Sequence, residues 1–395
     1  MQTNKSITDR IDWPLAFILF LFFVVSLIAI SSAQTSGQYL TNFVPRQGLF
    51  YFISVCMIAV LMYFDPEQYK KMSYYLYGIG ILLLMALMIA PEGVGQIGQR
   101  VNGAKAWFHT PFVNLQPAEF MKTFYILALA KMISSHHEKL PLKTIKTDLF
   151  LLGKIGFLLL IPLLFILQQP DLGTALVFIA ITLAIIVVAG ISWKIILPSF
   201  GGVTLIGVTL LWMAVNMQEF LTDTFGIQPY AFARIYTWLD PYAYADGAGY
   251  NLIAAMNAIG SGEVFGKGYQ GRQVYVPENH TDFIFTVISE DFGFVGASAV
   301  IILFFMLIYH LTKITLQLKD TFSTYVCAGI IAMITFHVFQ NIGMTIQLLP
   351  ITGIPLPFIS YGGSSLIGNM LAIGIVFSMK FHHRTYMFGN DKEVD

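Results

Sequence analysis

Long apolar segments separated by short polar turns run through nearly the whole chain. Ten of them are about as long as a helix that crosses a lipid bilayer, which needs roughly 20 residues. They lie near 12–32, 48–65, 73–90, 117–135, 149–167, 172–191, 195–216, 283–312, 322–346 and 357–381. Because lipid cannot pair free backbone groups, this pattern predicts an all-α polytopic membrane protein with about ten transmembrane helices.

Composition supports this class and excludes others. Of the 395 residues, 56% are hydrophobic and 11% are charged, whereas about 25% of a soluble domain is charged. The net charge is zero and no long basic run suggests nucleic acid. Cys56 and Cys327 lie in apolar segments, so we expect two small core residues. We treat 1–395 as one integral membrane domain, and the first apolar run is too long for a signal peptide.

The lysines and arginines predict the orientation in the membrane. With a cytoplasmic N-terminus, fourteen of them fall in inside segments and six in outside segments, as the positive-inside rule requires. Ten spans then place both termini in the cytoplasm. The outside loop at about 217–282 is much longer than the others and contains Trp238 and several tyrosines. We expect short amphipathic helices at the membrane interface there.

Two polar motifs stand where helices enter the predicted outer leaflet. In QPAEFMK, Pro117 fits a first helical turn, and Glu119 and Lys122 share one helix face. They form either a structural ion pair or a site that presents a cation to an anionic lipid headgroup. In QQPDLGTAL, Asp171 either caps the following helix or takes part directly in chemistry.

The stretch VPENHTDFIFTVISEDFGFVG combines carboxylates with membrane-like sequence. If its start is extended, Glu278, His280 and Asp282 project to one side. If a helix starts near Asp282, that residue is an N-cap. A metal site formed by the three side chains is a further alternative. Glu290 and Asp291 lie deeper, and we expect them to make buried hydrogen bonds to neighbouring helices.

The last motif, LLPITGIPLPFISYGGSSLIGN, contains three prolines and a glycine pair, which do not allow a regular helix. Irregular backbone at membrane depth is tolerated only where it is buried or lines a cavity. Ser360, Ser364, Ser365 and free backbone amides are therefore candidates to bind sugar or phosphate oxygens. A plain kinked helix end is the alternative.

Taken in order, the motifs resemble the SEDS family, which comprises RodA, FtsW and their sporulation relative. The resemblance rests on NGAKAWF with QPAEFMK, QQPDLGTAL, DPYAYADGAGYNLIAAMNAIGSGEVFGKG, PENHTDFIF and PLPFISYGGSS. It extends from Arg46-Gln47 to the tenth helix, and Arg234 and Asp240 match the family's R-x-x-x-x-x-D-P pattern. It implies a peptidoglycan glycosyltransferase of the bacterial cytoplasmic membrane, which polymerises lipid II on the outer face with a class B penicillin-binding protein as transpeptidase.

The resemblance also implies roles for individual residues. The family's essential acidic residue falls on Asp282, the expected general base for a sugar hydroxyl that displaces undecaprenyl pyrophosphate. The departing pyrophosphate needs cations, and a divalent ion, Mg²⁺ or Mn²⁺, is a candidate cofactor. Where the family often has arginine this chain has Ala106, which leaves Lys105 as the substitute cation. The residues assigned to substrate binding are Arg46, Lys105, Trp107, Glu119, Lys122, Arg234, Glu278, His280, Ser360 and Ser364.

Within the family, GIPLPFISYGG is more similar to RodA than to FtsW. This implies cell elongation within the Mre-type machinery, with an FtsW-like role in division as the alternative. Two other classes are a lipid II transporter and a scaffold that only activates its partner synthase. A transporter should place polar groups at mid-membrane depth, whereas the motifs here cluster at the outer side. A scaffold would need Asp282 only as a cap.

Overall fold

The structure, a computed structural model, describes residues 10–37, 41–91, 97–98, 105–109, 114–140, 142, 144–225, 229–247 and 249–383. These residues form thirteen α-helices, two short 3-10 turns and one antiparallel ribbon of two strands. In chain order the elements are α1 (Trp13–Ala33), α2 (Phe43–Leu61), α3 (Pro66–Ile89), β1 (Phe108–His109), β2 (Asn114–Leu115), α4 (Pro117–Lys139), α5 (Ile145–Gln168), α6 (Leu172–Val188), α7 (Trp193–Asn216), α8 (Gln218–Phe225), α9 (Pro229–Leu239), α10 (Tyr250–Ser261), α11 (Ile284–Gln317), α12 (Thr321–Thr345) and α13 (Gly363–His382).

All ten predicted spans are helices, and the protein is a multi-pass membrane protein. Eight of the described helices are long and apolar enough to cross a membrane. The two predicted spans outside this set are α6, with 17 residues, and the more polar α4. Helix α4 packs against α3, α5, α6, α12 and α13. Protein therefore surrounds most of α4, which explains how a central helix can carry polar side chains.

Several helices begin earlier than their apolar runs because polar caps start them. Helix α2 begins at Phe43, where the Asn42 side chain accepts a hydrogen bond from the Val44 amide. Helix α3 begins at Pro66 behind a capping box. Arg46 consequently lies in the first turn of α2. Cys327 is buried as predicted, whereas the prediction for Cys56 is wrong because that residue is exposed.

The long loop at 217–282 contains α8, α9, a 3-10 turn and α10, followed by turns that lead into α11. Helix α10 buries one face against α11. The predicted helices are therefore present, and their placement at the membrane interface stays a prediction. Helix α11 is interrupted at Gly293, whose φ of 63° and ψ of −159° lie outside the helical region and suit glycine.

The backbone of residues 263–268 repairs this interruption. The amides of Lys267 and Gly268 donate to the carbonyls of Glu290 and Asp291, each over 3.0 Å. In return, the amides of Phe294 and Val295 donate to the carbonyls of residues 263 and 264, over 2.9 and 3.1 Å. The groups that the broken helix leaves unpaired are satisfied by the loop, which removes a large desolvation cost.

Glu290 reinforces this attachment from its side chain. Its Oε1 accepts hydrogen bonds from the backbone amides of Gln273 and Val274, at 2.7 and 3.0 Å, and lies 3.1 Å from the Lys267 Nζ. For Glu290 the prediction of partners on neighbouring helices is wrong, since the loop supplies all three of these donors. The carboxylate deep in the helix therefore serves to anchor the long loop.

Gly262→Ala is expected to lower the free energy of unfolding by about 1–3 kcal/mol, the usual cost of overpacking. A Cβ at Gly262 would lie 2.0 Å from the Ser289 carbonyl oxygen, so α10 would have to move away from α11. The matched control is Gly260→Ala, where a Cβ meets no atom within 4 Å. Thermal unfolding in detergent checks this, and equal stability of the two variants would show that the close approach is unimportant.

Candidate functional site

Asp282 lies in the turn that precedes α11, but it does not cap that helix. The N-cap is Phe283, and no side chain caps it. The capping interpretation of Asp282 is therefore wrong. Residues 277–283 form turns, and Glu278 has a φ of 51°. The stretch is not extended, so Glu278 is exposed while His280 is buried.

Buried polar side chains fix this turn against the irregular segment 350–362, which is non-helical as predicted. The side-chain amide of Asn341 donates hydrogen bonds to the backbone carbonyl oxygens of Asp282 and Ile354, each over 2.8 Å. The Ser360 hydroxyl donates to the Thr281 carbonyl over 2.7 Å. The Tyr361 amide donates to the His280 carbonyl over 2.9 Å. The turn is thus bound on several sides before any ligand arrives.

Asp282 is half-buried, and its carboxylate faces the start of the irregular segment. A Cβ added at Gly353, whose φ is +73°, would lie 3.3 Å from Asp282 Oδ2. Arg234 on α9 donates to the neighbouring Thr352 carbonyl over 3.4 Å. The pKa of Asp282 is raised to about 6, mainly by burial and further by the charges of Glu278 and Asp171, while Arg234 acts in the opposite direction. Such a carboxyl group can exchange a proton near neutral pH.

His280 packs as an aromatic ring. It stacks on Phe43 with ring centroids 4.7 Å apart and planes 6° apart. Burial lowers the pKa of His280 to about 4, so the ring is neutral at physiological pH. Within the described ranges, no three His, Cys, Asp or Glu side chains are arranged to hold a metal ion. The alternative of a metal site formed by Glu278, His280 and Asp282 is therefore wrong.

Asp171 caps α6, as one of its two interpretations proposed. It accepts hydrogen bonds from the Thr174 amide at 2.9 Å and the Thr174 hydroxyl at 2.8 Å. The Gln116 side chain donates to the same carboxylate over 3.3 Å. The backbone amide of Gln116 donates to the Ser364 hydroxyl over 3.0 Å. These contacts tie the starts of α4, α6 and α13 together beside Asp282.

Glu119 and Lys122 form a buried ion pair on α4, with the charged atoms 2.9 Å apart. Their exposed fractions are 4% and 1%. The Lys122 Nζ also lies 2.9 Å from Nε2 of His337, whose Nδ1 is 2.6 Å from the Met333 carbonyl. That carbonyl can only accept, which fixes the proton on Nδ1 and leaves Nε2 to accept from lysine. Lys122 therefore has two partners inside the bundle.

The other predicted site residues are spread over the same end of the bundle. The Lys105 ammonium donates to the Met88 and Ala90 carbonyls, at 2.9 and 2.6 Å, and so binds the end of α3. Arg46 is exposed in α2, and half-buried Trp107 precedes β1. The Ser364 hydroxyl donates to the Asn114 carbonyl over 2.8 Å. Residues 102–104 of NGAKAWF lie outside the described residues.

Sequence reasoning missed Asn341, His337 and Gln116. Each belongs to the contacts just described, and Asn341 and His337 lie within α12, one of the helices that can cross the membrane. Polar side chains within a membrane helix are costly unless they are paired or functional. That cost was the available signal, since it marks such residues for attention before any partner is known.

Comparisons with known proteins agree with this architecture. The family model described as Cell cycle protein, FtsW/RodA/SpoVE, matches residues 9–385. The chain is 33% identical to Stage V sporulation protein E of Bacillus subtilis, covering 97% of this chain and all of that protein. It is also 33% identical to the peptidoglycan glycosyltransferase MrdB of Escherichia coli K12, covering 96% of this chain and 97% of that one. The chain belongs to the FtsW/RodA/SpoVE family, the SEDS proteins.

Solved structures give the same result for the fold of this SEDS protein. A chain from a peptidoglycan synthase complex, in which polymerization and crosslinking are structurally coordinated, matches with a TM-score of 0.75. The Rod shape determining protein RodA of Thermus thermophilus matches with a TM-score of 0.67. Each is 25% identical and covers 94% of this chain; the shares of the two solved chains covered are 97% and 96%.

Proposed function

We propose that this SEDS protein is a peptidoglycan glycosyltransferase that polymerises lipid II on the outer face of the cytoplasmic membrane. The observation that carries the proposal is the Asp282 carboxylate, which caps no helix, is held by its backbone and has a pKa raised to about 6. Relatives named peptidoglycan glycosyltransferase support the reaction class. The positive-inside bias supports cytoplasmic termini and an outer site.

Asp282 is the proposed general base. A sugar hydroxyl of one lipid II attacks C1 of the muramyl residue of another and forms the glycosidic bond. The hydroxyl proton passes to the Asp282 carboxylate, and the bond from C1 to undecaprenyl pyrophosphate breaks. A pKa close to the working pH suits a base, because the group is mostly ionised and still holds a proton well. Asn341 would orient Asp282 through its backbone.

The leaving pyrophosphate requires positive charge, for which we propose Arg234 and Arg46. Arg234 lies beside the segment that faces Asp282, and Arg46 is exposed in the first turn of α2. Lys105 and Lys122 would join them only after exchanging their present partners. A divalent cation would arrive with the pyrophosphate, since Mg²⁺ is usually held by one or two carboxylates plus substrate phosphates. Trp107 is proposed to contact sugar or the polyprenyl chain.

We further propose a class B penicillin-binding protein as partner, within Mre-type elongation machinery. The match to a complex that couples polymerization and crosslinking supports a transpeptidase partner. The resemblance of GIPLPFISYGG to RodA favours elongation, and an FtsW-like role in division is the alternative.

The proposed reaction is tested by glycan polymerisation from purified lipid II. The protein is reconstituted with its cognate penicillin-binding protein, with and without Mg²⁺ or Mn²⁺. The transpeptidase is inactivated with a β-lactam so that chain length alone is read. Polymer formation is expected. Its absence under all conditions, together with movement of lipid II across vesicle membranes, would replace the proposal with a transporter.

The rate of polymerisation is expected to rise with pH through about 6. Below this value Asp282 is protonated and cannot accept a proton, so kcat/KM falls toward acid. Removing the like charge in Glu278→Gln lowers the pKa of Asp282 and should move this limb to lower pH. The matched control is Glu219→Gln, an exposed carboxylate on α8, which should leave the limb in place. A limb that stays fixed in Glu278→Gln contradicts the assignment.

A further inference from the structure

A groove on the surface of α4 and α5 takes no part in the proposed reaction. It has a volume of 680 Å³ and lies between Met132 on α4 and a face of α5 that runs from Lys146 to Leu158. Met132 is sixteen residues beyond Gln116, which lies near Asp282, so roughly 24 Å of helix separate the two regions. The groove is therefore at the opposite, predicted cytoplasmic, end of α4.

The lining of the groove includes one residue without a side chain, Gly153. A Cβ added at Gly153 would meet no atom within 4 Å, so the space above this glycine is open. Phe150 and Phe157 stand one turn before and after it, and both are more than half exposed. From Lys146 to Phe157 the helix rises about 16 Å, roughly half of a bilayer hydrocarbon core of about 30 Å. The groove is thus about as long as one leaflet of the bilayer is thick.

The charges of the groove are positive. Lys146 and Lys154 line it, and the lining contains no Asp or Glu. The Lys154 Nζ lies 4.2 Å from the centroid of the Phe150 ring, so this side chain bends back toward the start of the helix, as membrane lysines do. Asp148 is buried and accepts from the Ser192 amide at 2.9 Å, which turns it toward the α6–α7 connection.

We propose that this groove binds one anionic phospholipid. Its phosphate would lie between the two lysines, and an acyl chain would pass over Gly153 between the aromatic rings. Basic pockets between helices at the cytoplasmic side are suited to such headgroups. The apolar part of the groove suits an acyl chain, and its two lysines suit an anionic headgroup. The proposal does not depend on the glycosyltransferase activity.

Native mass spectrometry with phosphatidylglycerol and phosphatidylcholine of identical acyl chains tests the site. The wild-type protein should retain phosphatidylglycerol more tightly. Each lysine near an anionic headgroup is worth about a fivefold change in affinity, so K146Q/K154Q should bind phosphatidylglycerol roughly 25-fold more weakly and phosphatidylcholine unchanged. Gly153→Leu fills the channel and should reduce binding of both lipids. The matched control is Gly156→Leu, at a second open glycine of α5, which should bind as wild type does.

Equal retention of the two lipids by the wild type would overturn the proposal, as would full retention in Gly153→Leu. Thermal unfolding of each variant in detergent excludes a loss of fold as the cause. If Gly153→Leu cannot be purified, the lysine pair decides alone. Unchanged selectivity in K146Q/K154Q would then show that the groove is ordinary lipid-facing surface.

Discussion

Asp282→Asn is expected to lower the rate of glycan polymerisation by about 10²–10⁴-fold, the usual contribution of a positioned general base. Asparagine keeps the size of the side chain and the backbone contact to Asn341, so the turn before α11 should stay in place. What is lost is the ability to accept the hydroxyl proton. The measurement is chain polymerisation from lipid II at saturating substrate, with the penicillin-binding partner present.

Two controls separate chemistry from folding in this experiment. Glu219→Gln removes a carboxylate from the surface of α8 and should polymerise at the wild-type rate. Thermal unfolding and copurification with the partner should be unchanged in Asp282→Asn, because the residue caps no helix. Undiminished polymer from this variant would eliminate Asp282 as the base. Polymer lost together with partner binding would favour the scaffold hypothesis.

Lys122→Met is expected to lower the free energy of unfolding by about 3–5 kcal/mol, the cost of leaving one member of a buried ion pair without its partner. Glu119 would remain at 4% exposure, and His337 would lose the donor to its Nε2. The double variant Lys122→Met/Glu119→Gln should recover much of this loss, because no unpaired charge remains. Thermal unfolding in detergent measures all three proteins.

The Lys70–Glu138 pair offers the matched control, because it is exposed, with N and O atoms 2.5 Å apart. Lys70→Met should change the free energy of unfolding by only about 0–1 kcal/mol, since water solvates the remaining carboxylate. If Lys122→Met lowered the free energy of unfolding as little as Lys70→Met does, the Glu119–Lys122 pair on α4 would have to be solvated. Polymerisation measured on the stable double variant then shows whether the Glu119–Lys122 pair is also needed for activity.

The membrane helices could be predicted from the sequence because lipid imposes a length and a composition on each of them. The hydropathy signal was weakest where protein replaces lipid around a helix. The sequence of α4 is the most polar of the ten predicted spans, because five other helices enclose this helix. The starts of α2 and α3 lie in polar sequence, where side-chain caps rather than hydropathy decide the boundary.

Sequence reasoning pointed to Asp282 as a candidate, but not to the contacts that hold it in place. Asp282 was identified from its position at the mouth of a span and from the family resemblance. The hydrogen bond from Asn341 joins residues 59 positions apart in the chain. Glu290 is held by a loop and not by a helix. Such pairs depend on how the bundle closes, and no local pattern in the chain encodes that closure.

The repair of α11 is made from peptide groups, and this has a consequence for how the loop can evolve. Val264 and Phe265, at its centre, turn their side chains outward and are 53% and 81% exposed. Their identities can therefore drift, while the number of residues between Gly262 and Gly268 cannot change. A single inserted residue there would move the backbone donors and acceptors of the loop out of register with their partners in α11. Natural variation in this loop should consist of substitutions, with insertions and deletions confined to the turns before α10.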